Sequence, residues 1–427
     1  MGRKGLSWMN IRTLTAGAVL VIIIQAASPA MSEADLETTE ARGHSGRQDE
    51  VQDELQDLGS RITQLEAEHG AYSSDLQPLF YRMGQLQQEK QDHLAALESF
   101  ELALHNSKVN KGVHNEEQLP IVESMLESYS AVNDWKNLGS RLHYMLWLHR
   151  RNYQESDDRL LSMIERVGKW YMRAYNLHSG GEALDYMVRA DDLFDEILEL
   201  LEGQHGELSP KAISTLQATA TINYYIASDV SDVFKTSHRE IREAMIPNKR
   251  ATPYMNEVAV RDYYFHQSFY KGRRALQKII DLRKQELPGS VNEYARALAD
   301  QGDYYLSLNR KWNAMKNYRS AYESLLEFGA DANEIDAIFG EPRPVEPFFA
   351  AGHDMEVPGE NSYVDAFFEV PGNGWPRDIR ITDTFPGDDK SLMTRGRHAV
   401  AATRYRPRFE NGKPVSTSNV YLRYVFR

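Results

Sequence analysis

Apolar residues recur along most of this chain at spacings of three and four, and near its C-terminal end at spacings of two. Val51, Leu55, Leu58, Ile62 and Leu65 are spaced 4, 3, 4, 3, the seam of an amphipathic helix. Fewer than three heptads are present, which favours packing on the next helix over a parallel coiled coil. The helical period continues through Leu79 to Leu104, Ser124 to Leu146, Val167 to Leu201, Lys211 to Ile226, Val258 to Leu282 and Leu298 to Leu325. It stops where Pro342, Pro344 and Pro347 fall close together, since proline cannot continue a helix. Residues 331–361 read as an extended linker, with a domain boundary near Gly340. Beyond it, Val364, Ala366, Phe368 and Val370 share one face of a strand over Ser362 to Val370. A second strand is predicted over Arg377 to Phe385 with Ile379 and Ile381 inward, then a helix over Lys390 to Thr403, then a strand over Asn419 to Phe426.

Two of the helical segments share a signature. LFYRMGQLQQEKQDHLAALESFELAL has Gly84, then Ala96, Phe100 and Ala103; LADQGDYYLSLNRKWNAMKNYRSAYESL has Gly302, then Ala314, Tyr318 and Ala321 at the same offsets. Small residues at these points let two antiparallel helices approach closely, and the aromatic fills the groove beside them. In these residues the chain resembles the tetratricopeptide repeat (TPR) family, whose helical hairpins stack into a solenoid. Between the two copies no period is visible. Asn133-Asp134-Trp135 stands where Gln91-Asp92-His93 stood, but Leu138 takes the place of an alanine; Gly168, Trp170 and the Gly180-Gly181 break mark a further hairpin. Residues 48–330 therefore read as an α-solenoid of about six or seven hairpins. Tyr224, Tyr225, Tyr263, Tyr264 and Tyr270 read as packing between them. The fold class is mainly α: a TPR-like solenoid followed by a small C-terminal α+β domain in the order strand, strand, helix, strand.

In that small domain the predicted helix runs into Arg404-Tyr405-Arg406-Pro407, then Asn411-Gly412-Lys413-Pro414-Val415, then a terminal strand carrying Tyr421 and Arg423. Pro407 is expected to stop the helix, Gly412 to permit a turn, and Tyr405 to pack back on the sheet. With these motifs, residues 362–427 resemble the C-terminal domain of the TonB energy-transducer family. Pro347-Phe348-Phe349-Ala350-Ala351 stands where that family opens with Tyr-Pro-x-x-Ala. The resemblance implies that Arg404, Tyr405, Arg406, Pro407, Asn411, Gly412, Pro414, Tyr421 and Arg423 serve partner binding, the partner peptide being added as a strand to the sheet.

The first residues change the picture of where this happens. Arg3, Lys4 and Arg12 precede an apolar run from Leu14 to Ile24, followed by small residues to Ala30 and an acidic turn. That order is a secretory signal peptide, residues 1–30, with cleavage expected near Ala30; the alternative is an uncleaved inner-membrane anchor. Residues 31–47 read as a flexible leader. The expected location is periplasmic.

Net charge is −13, which argues against nucleic acid as a partner, because phosphate binding needs a basic surface. The terminal module, with eleven Lys and Arg against seven Asp and Glu from residue 361 on, is the basic exception. The chain contains no cysteine, which removes disulfides, thiolate nucleophiles and Cys-ligated zinc. There is no His-Glu-x-x-His, and His143 and His149 are six apart, off one helical face. Gly43-His44-Ser45-Gly46 lacks the strand-turn-helix context of a serine nucleophile. Asp191, Asp192, Asp195 and Glu196 read as the solvated face of a helix whose apolar side is Leu193, Phe194, Ile197 and Leu198. No catalytic, cofactor or metal site is expected. The chain reads as a periplasmic interaction scaffold for proteins of the cell envelope; the alternatives are a membrane-anchored energy transducer and, more weakly, an envelope-polymer binder.

Overall fold

A computed structural model describes residues 37–177, 181–205, 209–233, 257–345, 362–387 and 389–426. The predicted signal peptide, the distorted motif at 347–351 and the side chains of Tyr263 and Tyr264 lie outside what it describes. Two compact units divide it, one ending at Val167 and one beginning at Gly168.

The first unit carries α1 (Glu37–His69), α2 (Leu76–Glu89), α3 (His93–Lys111), α4 (Gln118–Ala131) and α5 (Trp135–Asn152), and α6 (Asp158–Leu177) crosses the division. The leader predicted to be flexible is helical from Glu37, where Glu37, Glu40, Ala41, Arg42 and Arg47 are good helix formers and the helix runs on without a break into the amphipathic stretch after Gln48. Val51 and Leu58 bury against Leu86, with Leu55, Leu79 and Met83 around them, so the apolar seam of α1 packs on the next helix.

The hairpin turns are alike in detail. Gln91 (φ 62°) and Asn133 (φ 56°) adopt the left-handed conformation that closes a helix. After each, the next amide reaches back across the last turn: Asp92 N to Gln87 O and Asp134 N to Tyr129 O, both 2.9 Å. Those aspartates then cap the following helix, Asp92 accepting from Ala95 N at 3.2 Å and Asp134 from Asn137 N at 3.1 Å. Asn110 donates to Tyr72 O and Asn152 to His114 O, each at 2.9 Å. All these pairs are offset by 42 residues, 92 to 134 and 110 to 152. Apart from its turn residues the repeat is hidden in the sequence, because its packing residues change together. Gly84 lies against the buried ring of Phe100, whereas the positions 42 residues on are Leu126 and Leu142, both buried. A small and a large residue have been exchanged for two of middle size, which keeps volume constant.

The second unit continues with α7 (Gly181–His205), α8 (Ile213–Val233), α9 (Glu257–Gln285), α10 (Val291–Ser307) and α11 (Lys311–Glu327). Glycine against an aromatic recurs three times: Gly168 under Phe194, Gly272 under Tyr304 and Gly302 under Tyr318. Asn309 (φ 60°) closes α10 as Gln91 closes α2. The eight residues of the sequence signature, Gly84, Ala96, Phe100, Ala103, Gly302, Ala314, Tyr318 and Ala321, are all buried. The chain is thus mainly helical, built of TPR-like hairpins.

The predicted linker is partly structured. Residues 332–339 form α12, opened by a capping box between Asp331 and Glu334, and Arg343–Val345 form a short strand β1. Proline at 344 is tolerated because β1 pairs on one side only, with β4.

The terminal module contains β2 (Ser362–Val370), β3 (Arg377–Phe385), α13 (Lys390–Ala402), β4 (Arg404–Arg406), β5 (Phe409–Glu410), β6 (Lys413–Pro414) and β7 (Thr417–Phe426). Its main sheet has the order β3-β2-β7, antiparallel throughout. Val364, Ala366, Phe368 and Val370 face α13 and pack with Leu392, Ala399, Val400, Leu422 and Tyr424. Gly396 allows the close approach, since a Cβ there would lie 2.6 Å from Val364 Cγ1. The helix ends at Ala402, before Pro407: Thr403 is already extended, and its hydroxyl and the Arg404 guanidinium take the last carbonyls.

Candidate functional site

Between α13 and β7 the chain runs as a strap, residues 403–416, and this strap holds the motif that resembles the TonB family. Tyr405 is buried and meets Phe368 of the sheet at 5.0 Å between ring centroids, as its position in the motif implies. Its neighbours point the other way. Strand β4 pairs antiparallel with β1, Arg343 opposite Arg406 and Val345 opposite Arg404. Arg406 is buried against α10: its Nε donates to Asp303 Oδ1 at 2.9 Å, and its Nη2 to Asp303 Oδ2 and to Asp300 Oδ1 at 3.2 Å. Tyr318 donates its hydroxyl to the same Asp303 Oδ1 at 2.6 Å. Burial works against the charged guanidinium, but Asp303 outweighs it and holds the Arg406 pKa above its ordinary value. Burial likewise pushes the Tyr318 hydroxyl well up. Asp300 is raised to about 6 by burial, against the pull of Arg406 and helped by the charge of Asp303.

Arg404 stacks on Trp375, guanidinium carbon 3.4 Å from the ring centroid, and donates to the carbonyls of Ala401 and Ala402. Pro407 is buried. Asn411 (φ 48°) and Gly412 (φ 72°) form the two-residue turn joining β5 to β6, the turn that Asn-Gly favours; Pro414 pairs with Phe409 across it. The hairpin inserts Phe409 among Tyr318, Tyr322 and Phe339, at 6.0, 6.2 and 5.1 Å. Arg404, Tyr405, Arg406 and Pro407, expected to meet a partner, are therefore engaged in the chain's own packing.

Tyr421 and Arg423 do face solvent, on the side of the sheet opposite α13. Arg423 grips Asp365 with two hydrogen bonds, 2.8 and 2.7 Å, Tyr421 donates to the same carboxylate at 3.0 Å, and Arg423 covers the Tyr363 ring at 4.0 Å. The Arg423 hydrogen bonds hold Asp365 below the usual carboxylate range. Phe367 against Tyr421 and Tyr363 against Phe385 complete this face.

The two edges of the sheet differ. Among the described residues neither β3 nor β7 is paired on its outer side. β3 is irregular, with two register shifts against β2 and Asp378 at φ 54°. β7 carries one register shift, beside Asn419 at φ 57°, and pairs residue for residue from Val420 to Phe426, so that stretch of its outer edge is regular. A regular unpaired edge is the template for an added strand.

Elsewhere, Asp191 is not on a solvated face. It receives Lys271 at 2.6 Å and Asn223 at 2.7 Å, tying α7, α8 and α9 together, with Asp195 on Lys271 at 2.5 Å. Tyr224 and Tyr225 are half-buried, whereas Tyr270, expected in packing, is exposed with Arg273 over its ring. His149 is buried, its Nδ1 2.8 Å from Met145 O. Among the described residues no cluster of His, Asp and Glu could hold a metal ion, and no helix is long and apolar enough to cross a membrane. Asp300, Asp303 and Phe409 were not foreseen. The available signal was Asp303 itself, a charge beside the packing glycine in the apolar run of α10.

No family model and no curated protein matches the chain. Among solved structures it is similar to BtubC (BKLC) from P. vanneervenii, at 12% identity over 66% of this chain and 93% of that one, with a TM-score of 0.33. It is also similar to a putative kinesin light chain of nearly identical TPR-like repeats from Podosopora anserina, at 10% identity over 60% of this chain and 98% of that one, TM-score 0.33. A variant form of the latter protein, at the same identity and coverage, gives 0.32.

Proposed function

We propose that this chain is an exported, periplasmic scaffold that binds proteins rather than transforming substrates, and that its terminal sheet takes up a partner segment as an added strand along β7. The observation that carries the reading is the outer edge of β7, regular from Val420 to Phe426 and unpaired among the described residues, with the more irregular β3 on the opposite edge of the sheet. Backbone hydrogen bonds along such an edge supply affinity, and Tyr421 and Arg423 flank it on the open face. The helical hairpins supply further surface of the kind that grips proteins. The TonB-like motif and the basic-then-apolar N-terminus support placing this activity in the cell envelope.

The test is a pull-down from envelope extract with the full chain, followed by hydrogen exchange on the recovered complex. Recovery of a protein with new protection confined to the β7 amides is expected. Recovery with β7 unchanged moves the site to the hairpins, and recovery of nothing above background counts against the scaffold reading. A second reading, a membrane-anchored energy transducer of outer-membrane transport, draws on the same motif and on Arg3 and Lys4 ahead of the apolar run. N-terminal sequencing separates the two: the scaffold begins near Met31 in the soluble periplasmic fraction, whereas the transducer keeps Arg3 and sediments with the inner membrane.

A further inference from the structure

On α3 the apolar character does not stop at the buried side. Ala96, Leu97, Phe100, Ala103 and Leu104 are buried in the hairpin, yet Leu94, Leu102 and Val109 on the opposite side are 68%, 50% and 52% exposed. Their spacings of 8 and 7 are close to two helical turns, so with the exposed Glu98 and His105 between them they form one straight stripe about 22 Å long. Tyr72, also exposed, borders the stripe with its ring 6.0 Å from that of His105.

The repeat itself does not demand these residues. At the corresponding places on α5, 42 positions on, stand Lys136, Ser140, Tyr144, Trp147 and Arg151. The ends there are cations, and the two rings are half-buried and stacked on each other, with Lys108 over Tyr144 at 4.4 Å. Single apolar side chains on a surface need no explanation, but three aligned on one helix, where the sister helix has none free, mark a contact surface.

We propose that this stripe is a homodimer interface, covered by α3 of a second copy lying antiparallel across a two-fold axis. The order of residues reads the same from both ends: Leu94 and Glu98 lie as far before an axis beside Leu102 as Val109 and His105 lie behind it. Leu94 then meets Val109 of the second copy, Glu98 meets its His105, and the two Leu102 side chains meet at the centre. Each contact is made twice, as a two-fold interface requires. A carboxylate opposite an imidazole can hydrogen-bond whether the ring is neutral or charged. Parallel pairing would instead set Glu98 against Glu98 and His105 against His105, like against like. The stripe therefore complements itself, and in one orientation only.

The chain has no cysteine, so one substitution supplies its only thiol. Full-length Leu102→Cys, Leu94→Cys and Val109→Cys chains are each oxidised with copper phenanthroline and run on a non-reducing gel. Leu102→Cys is expected to form a linked dimer. Leu94→Cys and Val109→Cys, each about 22 Å from its own copy across the axis, should stay single alone and link when mixed with each other. Adding Glu98→Lys to the Leu102→Cys chain sets two bases face to face and should cut its linking about tenfold, and His105→Glu on top should restore it. A chain that had merely failed to fold would not be restored in this way. Equal linking of all three single-cysteine chains, no linking at position 102 while maleimide labels its thiol, no linking in the mixture, or a loss that His105→Glu does not restore would each overturn the antiparallel pairing.

Discussion

Gly302 and Tyr318 stand on adjacent helices with nothing between them: a Cβ placed on Gly302 would overlap the Tyr318 ring. The ring is fully buried and its hydroxyl is held by Asp303, so it has nowhere to retreat. Gly302→Ala should therefore destabilise the second unit by about 1–3 kcal/mol, as overpacking does. Gly59→Ala is the control, since its Cβ would meet nothing within 4 Å and helix propensity alone predicts a gain of up to about 1 kcal/mol. Urea unfolding of the two variants should move in opposite directions.

Removing Arg406 should be far costlier than its place near the C-terminus suggests. Arg406→Gln leaves Asp303 buried without its cation, a loss of about 3–5 kcal/mol. The midpoint of urea unfolding should fall accordingly, and the β1 amides should lose protection. A midpoint within error of wild type would show that the pair is not desolvated.

Arg423 makes a similar two-bond contact with Asp365, but its side chain is 45% exposed. Water does most of the work of solvating it, so Arg423→Gln should cost about 1 kcal/mol or less. If β7 receives a strand, the same substitution should weaken partner binding without moving the unfolding midpoint by more than that.

Lys271 governs a pH effect. Burial raises the Asp191 pKa, with Lys271 opposing. A carboxyl raised on folding holds its proton more firmly in the native state, so it takes stability away as pH climbs from its ordinary value of 3.8 through its raised one. Lys271→Met removes the opposing charge and should extend that decline to higher pH. Melting temperatures of wild type and variant, measured from pH 4 to pH 8, should therefore draw apart as pH rises.

Much of the architecture is written in local pattern. β2 and β3 begin and end where the alternation of Val364, Ala366, Phe368 and Val370, and of Ile379 and Ile381, places them, because a sheet with one covered face must alternate. Two of the glycine-aromatic hairpins, Gly84 with Phe100 and Gly302 with Tyr318, were legible because close approach leaves few residue choices; Gly168 with Phe194 and Gly272 with Tyr304 emerge only from the packing. Two things were not legible. The 42-residue period between the first hairpins was masked by paired volume changes, Gly84 with Phe100 against Leu126 with Leu142; in the sequence only the turns, Gln91-Asp92-His93 and Asn133-Asp134-Trp135, correspond, and their geometry shows the period in full. The destination of Arg406 was hidden because its partners lie a hundred residues away on α10; an arginine in a motif looks the same whether it awaits a partner or has already found one inside the chain.

Phe409 gives the strap a meaning for how such a protein can be rearranged. Its ring seals the apolar end of the last helical pair, over Tyr318, Tyr322 and Phe339, the place where a repeat array otherwise needs a dedicated cap. The terminal module is accordingly not a detachable cassette. A chain cut at residue 340 would lay three aromatic rings open to water, and a transplanted module would carry a phenylalanine and a buried arginine with no counterparts to meet them. A transfer that kept the fold would have to move the tail together with the hairpin that receives it.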